Sequence, residues 1–123
     1  MNNPLALIIE DDSKLAYLFA EALQMAEFET ETIQNGRSAL ERLALMMPAV
    51  VVLDLHLPDL PGSDILTYIR SEKRLNNTRV MLVTADALKA EQLRNEVDLV
   101  LLKPVSLIQL STLASRLRPL TMT

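Results

Sequence analysis

The chain has 123 residues, a formal charge of -4, no cysteine and one histidine; that is enough for one domain around one core and excludes thiolate chemistry, a disulfide framework and a histidine-rich zinc site. An acidic chain offers no field for gripping nucleic acid directly. No apolar run reaches the roughly 18 residues of a membrane span and no basic-then-apolar leader opens the chain, so a soluble, cytoplasmic protein is expected.

In chain order the hydrophobic pattern alternates between strand and helix periods. Leu5 to Ile9 is an apolar, partly β-branched run, read as a strand, that ends in Glu10-Asp11-Asp12. From Ser13 onward Leu15, Leu18, Phe19, Ala22 and Leu23 recur at helical spacing, with Asp12 or Ser13 as N-cap, which predicts a helix to about Ala26. Phe28 to Ile33 reads as an edge strand, its Glu29 and Glu31 alternating with Thr30 and Thr32. Asn35-Gly36 breaks the chain; Ala39, Leu40, Leu43, Ala44 and Met47 then form one helical stripe that Pro48 stops. Ala49 to Leu53 is apolar at every residue, as a strand covered on both faces requires, and it delivers Asp54 at its tip. Pro58, Pro61 and Gly62 keep the following loop stiff and non-helical.

Ile65, Leu66 and Ile69 mark a third helix, and Glu72 to Asn77 a polar linker. Val80 to Val83 is the fourth strand, ending in Thr84-Ala85-Asp86, and a weakly patterned helix follows through about Arg94. Leu99 to Leu102 is the fifth strand, ending in Lys103-Pro104. Ser106 and Gln109 have capping-box spacing, and Leu107, Leu110, Leu113, Ala114 and Leu117 predict a last helix ending near Pro119. Five such βα units predict a doubly wound parallel α/β sheet with right-handed crossovers and helices on both faces, as one domain over residues 1–123.

Open parallel sheets place their ligands beyond the carboxyl ends of the strands. Those ends carry Glu10 and Asp11, Asp54, Thr84 and Lys103: three acids, a hydroxyl and a cation around one crevice. Clustered carboxylates repel one another without a cation. Magnesium takes hard oxygen ligands and keeps several waters, so two or three carboxylates and a backbone carbonyl make a sufficient site. Asp54 is placed to attack phosphorus in line as a carboxylate nucleophile. Lys103 by charge and Thr84 by hydrogen bond would hold the phosphoryl oxygens.

The pieces Ile-Ile-Glu-Asp-Asp at 8 to 12, Asp-Leu-His-Leu-Pro-Asp-Leu-Pro-Gly at 54 to 62, Val-Thr-Ala at 83 to 85 and Lys-Pro at 103 to 104 together resemble the receiver domain of two-component response regulators, from Leu5 to about Leu117. The resemblance implies a flavodoxin-like strand order 2-1-3-4-5. It implies that Asp54 accepts a phosphoryl group from a histidine kinase or phosphotransfer protein and that the domain signals to a downstream effector protein or domain. It further implies that Asp11 binds Mg2+ directly, Glu10 mainly through water and His56 by its backbone carbonyl. Thr84 and Lys103 would contact the phosphate, and the Lys103–Pro104 bond would be cis. His56 and Asp86 would flank the path of water to the phosphate.

The family acts on no substrate beyond its own phosphorylation and dephosphorylation, so an enzyme is not expected. A pseudo-receiver working as a phosphorylation-independent interaction module is the alternative. Aspartate-nucleophile phosphatases resemble the topology but carry a second acid two places after the nucleophile, where this chain has His56. A dinucleotide fold would need a Gly-rich phosphate loop, and the chain has two glycines. Asp12 reads as a helix cap, the His56 side chain as a solvated loop residue and Asp59 as an ordinary turn residue. Glu29, Glu31 and the charges from Arg70 to Arg74 read as solvated surface, and Met46, Met47 and Met81 as core filler. Where receivers usually carry an aromatic residue, three places before the lysine, this chain has Val100, and the stretch from Thr84 to Lys103 is about three residues short, which predicts a brief, loosely packed fourth helix. Because the chain ends soon after the last helix, it is expected to be a stand-alone receiver or a piece of a longer protein.

Overall fold

Alternation within uniformly apolar strands decides how this chain folds. The computed structural model describes residues 3–119. Among them β1 (Leu5–Ile9), β2 (Glu29–Ile33), β3 (Val50–Leu53), β4 (Arg79–Thr84) and β5 (Leu99–Leu102) form one sheet in the order 2-1-3-4-5. Every neighbouring pair is parallel. Ala6, Ile8, Val50, Val52, Met81, Val83 and Leu101 point to one face, where Phe19, Ala22 and Leu23 of α1 (Ser13–Met25) meet Leu110 and Ala114 of α5 (Leu107–Ser115). Leu7, Ile9, Val51, Leu53, Val80 and Leu82 point to the other. There they are covered by α2 (Gly36–Leu43), α3 (Gly62–Ser71) and α4 (Ala87–Leu93). A strand sandwiched this way cannot alternate with polar residues, which is why β3 and most of β4 are apolar on both sides. Each fully buried aliphatic side chain contributes about 1.5–3 kcal/mol.

Local signals set most boundaries. Asp12 caps α1, accepting from the Lys14 and Leu15 amides at 2.9 and 3.1 Å. Asn35 caps α2 through Ser38 N, and Ser106 caps α5 through Gln109 N. Glu27, after α1, adopts φ 68°, a left-handed conformation that favours glycine and costs a side-chain-bearing residue about 1 kcal/mol. No helix among the described residues is long and apolar enough to cross a membrane.

Several expectations need correction, most of them because of a polar contact between residues distant in the chain. Helix α2 ends at Leu43, before Met47, because the Arg74 guanidinium takes the carbonyl oxygens of Leu43 and Met46. Met47 is consequently 68% exposed, whereas Met81 is buried and Met46 half-buried. The segment from Glu72 to Asn77 holds a 3₁₀ turn, Lys73–Leu75, with Leu75 fully buried. Lys73 and Arg74 are exposed as expected, although Arg74 is held by backbone carbonyls, whereas Arg70 is half-buried and reaches Glu96 O at 2.8 Å, Thr78 O at 3.1 Å and Asp98 at 3.2 Å. Glu31 holds Arg42 through both carboxylate oxygens, while Glu29 is exposed as expected. Helix α5 ends at Ser115, although Leu117 still packs on the core.

Asp59 departs furthest from its expected role. Its carboxylate accepts from Gly36 N at 2.7 Å and Arg37 N at 2.8 Å, so it tethers the loop after β3 to the first turn of α2. The Arg37 and Gly36 amides hold the carboxyl below its ordinary range. A depressed carboxylate contributes stability that is present above its unfolded value and lost as pH falls through the folded one. Asp59→Ala should therefore lower the urea midpoint at neutral pH, and the gap to wild type should close as pH falls below the ordinary value of 3.8. A gap that persists unchanged into acid would show that the contribution is not electrostatic.

Candidate functional site

The parallel register brings the strand ends level. Glu10 N donates to Ile33 O at 3.0 Å, Asp54 N to Ile9 O at 3.1 Å and Lys103 N to Thr84 O at 2.9 Å, so each tip residue is held by the strand beside it. Glu10, Asp54 and Thr84 are the buried polar side chains at this end. Asp11 is exposed. Gly62 seats the loop after β3: its amide donates to Leu55 O at 2.8 Å, and a Cβ there would overlap the Asp54 carbonyl oxygen and stand 2.6 Å from Leu55 Cα. Any other residue would push the end of β3 out of place.

Lys103 joins the acids. Its Nζ donates to Glu10 Oε1 at 2.8 Å and to Asp54 Oδ2 at 3.2 Å. Glu10 Oε2 accepts from Asp12 N at 3.2 Å, so both of its oxygens have partners. Burial pushes the Glu10 carboxyl up, and the Lys103 and Asp12 hydrogen bonds oppose that only in part. For Lys103, burial pulls downward, but the Glu10 hydrogen bond and the Asp54 and Glu10 charges outweigh it and leave the ammonium above its ordinary value. Lys103 is thus charged at every physiological pH. The peptide bond that follows it, to Pro104, is cis.

Carboxylate oxygens of Glu10, Asp11 and Asp54 all lie within 4.8 Å of one another. That hard-oxygen donor set suits Mg2+ and no thiophilic metal. Asp54 Oδ1 stands 3.4 Å from His56 N, and His56 bridges to Pro61, closing the loop beside the acids. Thr84 Oγ1 accepts from Asp86 N at 3.2 Å, which leaves its proton to donate. All the residues singled out from the sequence therefore gather at one end of the sheet.

Two contacts were not legible in the sequence. Asp86 caps α4 through Lys89 N at 2.9 Å, and its Oδ2 stands 3.4 Å from Nε2 of His56, whose side chain is 68% exposed. These two side chains, with Asp11, Asp59 and Lys89, line an open cleft of about 710 Å³.

Known proteins carry the same frame. A family model described as the response regulator receiver domain matches residues 6–115. The regulatory protein AtoC of Escherichia coli is 32% identical over 113 residues, covering 89% of this chain and 24% of AtoC. The polar-differentiation response regulator DivK of Brucella anthropi is 27% identical over 88 residues, 72% of either chain. The chain thus spans about a quarter of the first relative and most of the second. The crystal structure of the signal receiver domain of the LuxO repressor protein from Vibrio parahaemolyticus superposes with a TM-score of 0.84 at 27% identity, over 94% of this chain and 89% of that one. With the match running from the first strand through the last helix, this chain belongs to the response regulator receiver domain family.

Proposed function

We propose that residues 1–123 act as one cytoplasmic receiver domain in which Asp54 accepts a phosphoryl group from a histidine kinase or phosphotransfer protein and passes the signal to a downstream effector. The observation that carries this reading is the Lys103 ammonium held at 3.2 Å from a 5%-exposed Asp54, with Thr84 buried on the neighbouring strand. A carboxylate nucleophile needs its lone pair free and its repulsion with an incoming anion offset. Lys103 meets the second need. It offsets part of the acid pair's charge before the donor arrives and can then follow the charge onto the phosphoryl oxygens, to which Thr84 gives its hydroxyl proton. Attack forms the aspartyl P–O bond as the donor's P–N bond breaks, the electron pair leaving on the imidazole nitrogen.

Asp11, Asp54 and the backbone carbonyl of His56 would hold Mg2+, with Glu10 reaching it through water because its own oxygens are already engaged by Lys103 and Asp12. Bound there, the ion supplies positive charge against the phosphoryl oxygens. An interaction module indifferent to phosphorylation has no use for this arrangement. Burying Glu10 and Asp54 costs folding energy that Lys103 offsets in part, a cost that a reactive or ion-binding role explains.

Incubation with Mg2+ and acetyl phosphate should add one phosphoryl group by intact mass, and Asp54→Asn should add none. Labelling of that variant would remove Asp54 from its role. Asp11→Ala should weaken Mg2+ binding about tenfold or more in a titration followed by amide shifts; an unchanged titration would put the metal elsewhere. His56 and Asp86 sit where water enters, so His56→Ala should change the decay rate of the phosphorylated form several-fold while leaving the unfolding midpoint alone. An unaltered decay would return His56 to the role of a solvated loop residue.

A further inference from the structure

The opposite end of the sheet carries a second concentration of charge. At the amino-terminal edge of the strands a cleft of about 810 Å³ opens between the start of β4, the approach to β5 and the residues after α5. Four arginines, Arg70, Arg79, Arg116 and Arg118, line it against one carboxylate, Asp98. In a chain whose net charge is -4 this is a local reversal of sign. It is also well removed from Asp54, because β4 spans its six residues between the two ends, about 17 Å at 3.3 Å per step.

Asp98 cannot balance the four. Its oxygens already accept from Arg70 Nη2 at 3.2 Å, Arg79 Nη1 at 3.1 Å and Val80 N at 2.8 Å. Arg118 stands 3.7 Å from the exposed Glu27, and its buried Nε donates to nothing among the described residues. Arg116 forms no ion pair among those residues. Several guanidinium groups sharing one cleft with a single carboxylate repel one another, and an added anion would relieve that repulsion. Because the resting position of Arg118 forgoes a hydrogen bond, turning toward an acceptor in the cleft costs little and recovers one.

We propose that this cleft binds a small phosphate-class oxyanion carrying more than one negative charge. The donors come from α3, from β4 and from the segment after α5, so they converge from separate directions, as a tetrahedral oxyanion requires and a planar carboxylate does not. The volume lies within the roughly 300–1,000 Å³ of small-molecule sites and exceeds what one phosphate fills, so a diphosphate, free or on a nucleoside, matches it better. Asn76 and Asn77 line the same cleft and offer amides to the remainder of such a ligand.

The test uses the whole 123-residue chain, isotope-labelled, titrated with inorganic pyrophosphate and separately with ADP, each in the absence of magnesium. Saturable amide shifts should centre on Thr78, Arg79, Asp98 and Arg116 to Arg118, and the double variant Arg116→Gln, Arg118→Gln should weaken binding about tenfold or more. Both arginines lie at the surface or half-buried, and labelling of Asp54 by acetyl phosphate in the variant would show that it is folded. Binding of ADP that is as tight as pyrophosphate or tighter supports the site. Shifts centred on Lys103, equal affinity in the double variant, or no saturation by either anion up to about 10 mM would overturn it.

Discussion

Two carboxylates buried side by side are tolerable in this fold because one ammonium reaches both. Glu10 and Asp54 come from adjacent strands, and without Lys103 the charges of these two buried side chains would oppose each other. The cation arrives from β5, two strands away from the strand that ends in Asp54. It therefore reports on the whole sheet: only when β4 is correctly seated between β3 and β5 does the side chain stand where it can reach both acids. Folding and reactivity share a single geometric condition, and the site is complete only when the core beneath it is.

That core was legible in the sequence because it obeys short-range rules. Strands buried on both faces read as unbroken apolar runs, and β1 and β5 begin and end where those runs do. The strand-tip residues followed from the ends of the runs, without any knowledge of how the strands pair. What stayed hidden was every bond between side chains or backbone groups far apart in the chain. Asp59 reaching Gly36, Arg74 reaching Leu43 and Arg70 reaching Asp98 each span more than twenty residues, and no periodicity records such a pairing. The arginines illustrate the cost of the simplest rule. Charged residues beside a helix end are usually solvated, but a guanidinium carries five donors and can satisfy stray carbonyls that the backbone leaves behind.

Those arginine contacts also account for the shape of the shortened segment between Thr84 and Lys103. Helix α4 keeps one buried side chain, Ala90, and half-buried Val100 on β5 packs with Leu93 and Val97 into the same face of the core. The approach to β5 is fixed by polar contacts, through Arg70 to Glu96 and Asp98, more than by burial. The helix lies between a strand end that carries Thr84 and a clamp anchored on α3. Its own ordering rests on the Asp86 cap and a few apolar contacts, with one buried residue where α1 and α3 have four each.

Seven residues rise only about 10 Å, less than two full turns. Helical segments of this length, when free of tertiary contacts, form and melt within roughly a microsecond, far faster than a covalent phosphoryl bond is made or broken. A segment that equilibrates so quickly keeps no memory of its own. If Asp54 is the phosphoacceptor proposed above, whatever α4 presents at any instant would mirror the chemical state of Asp54, and the signal would last as long as one acyl phosphate.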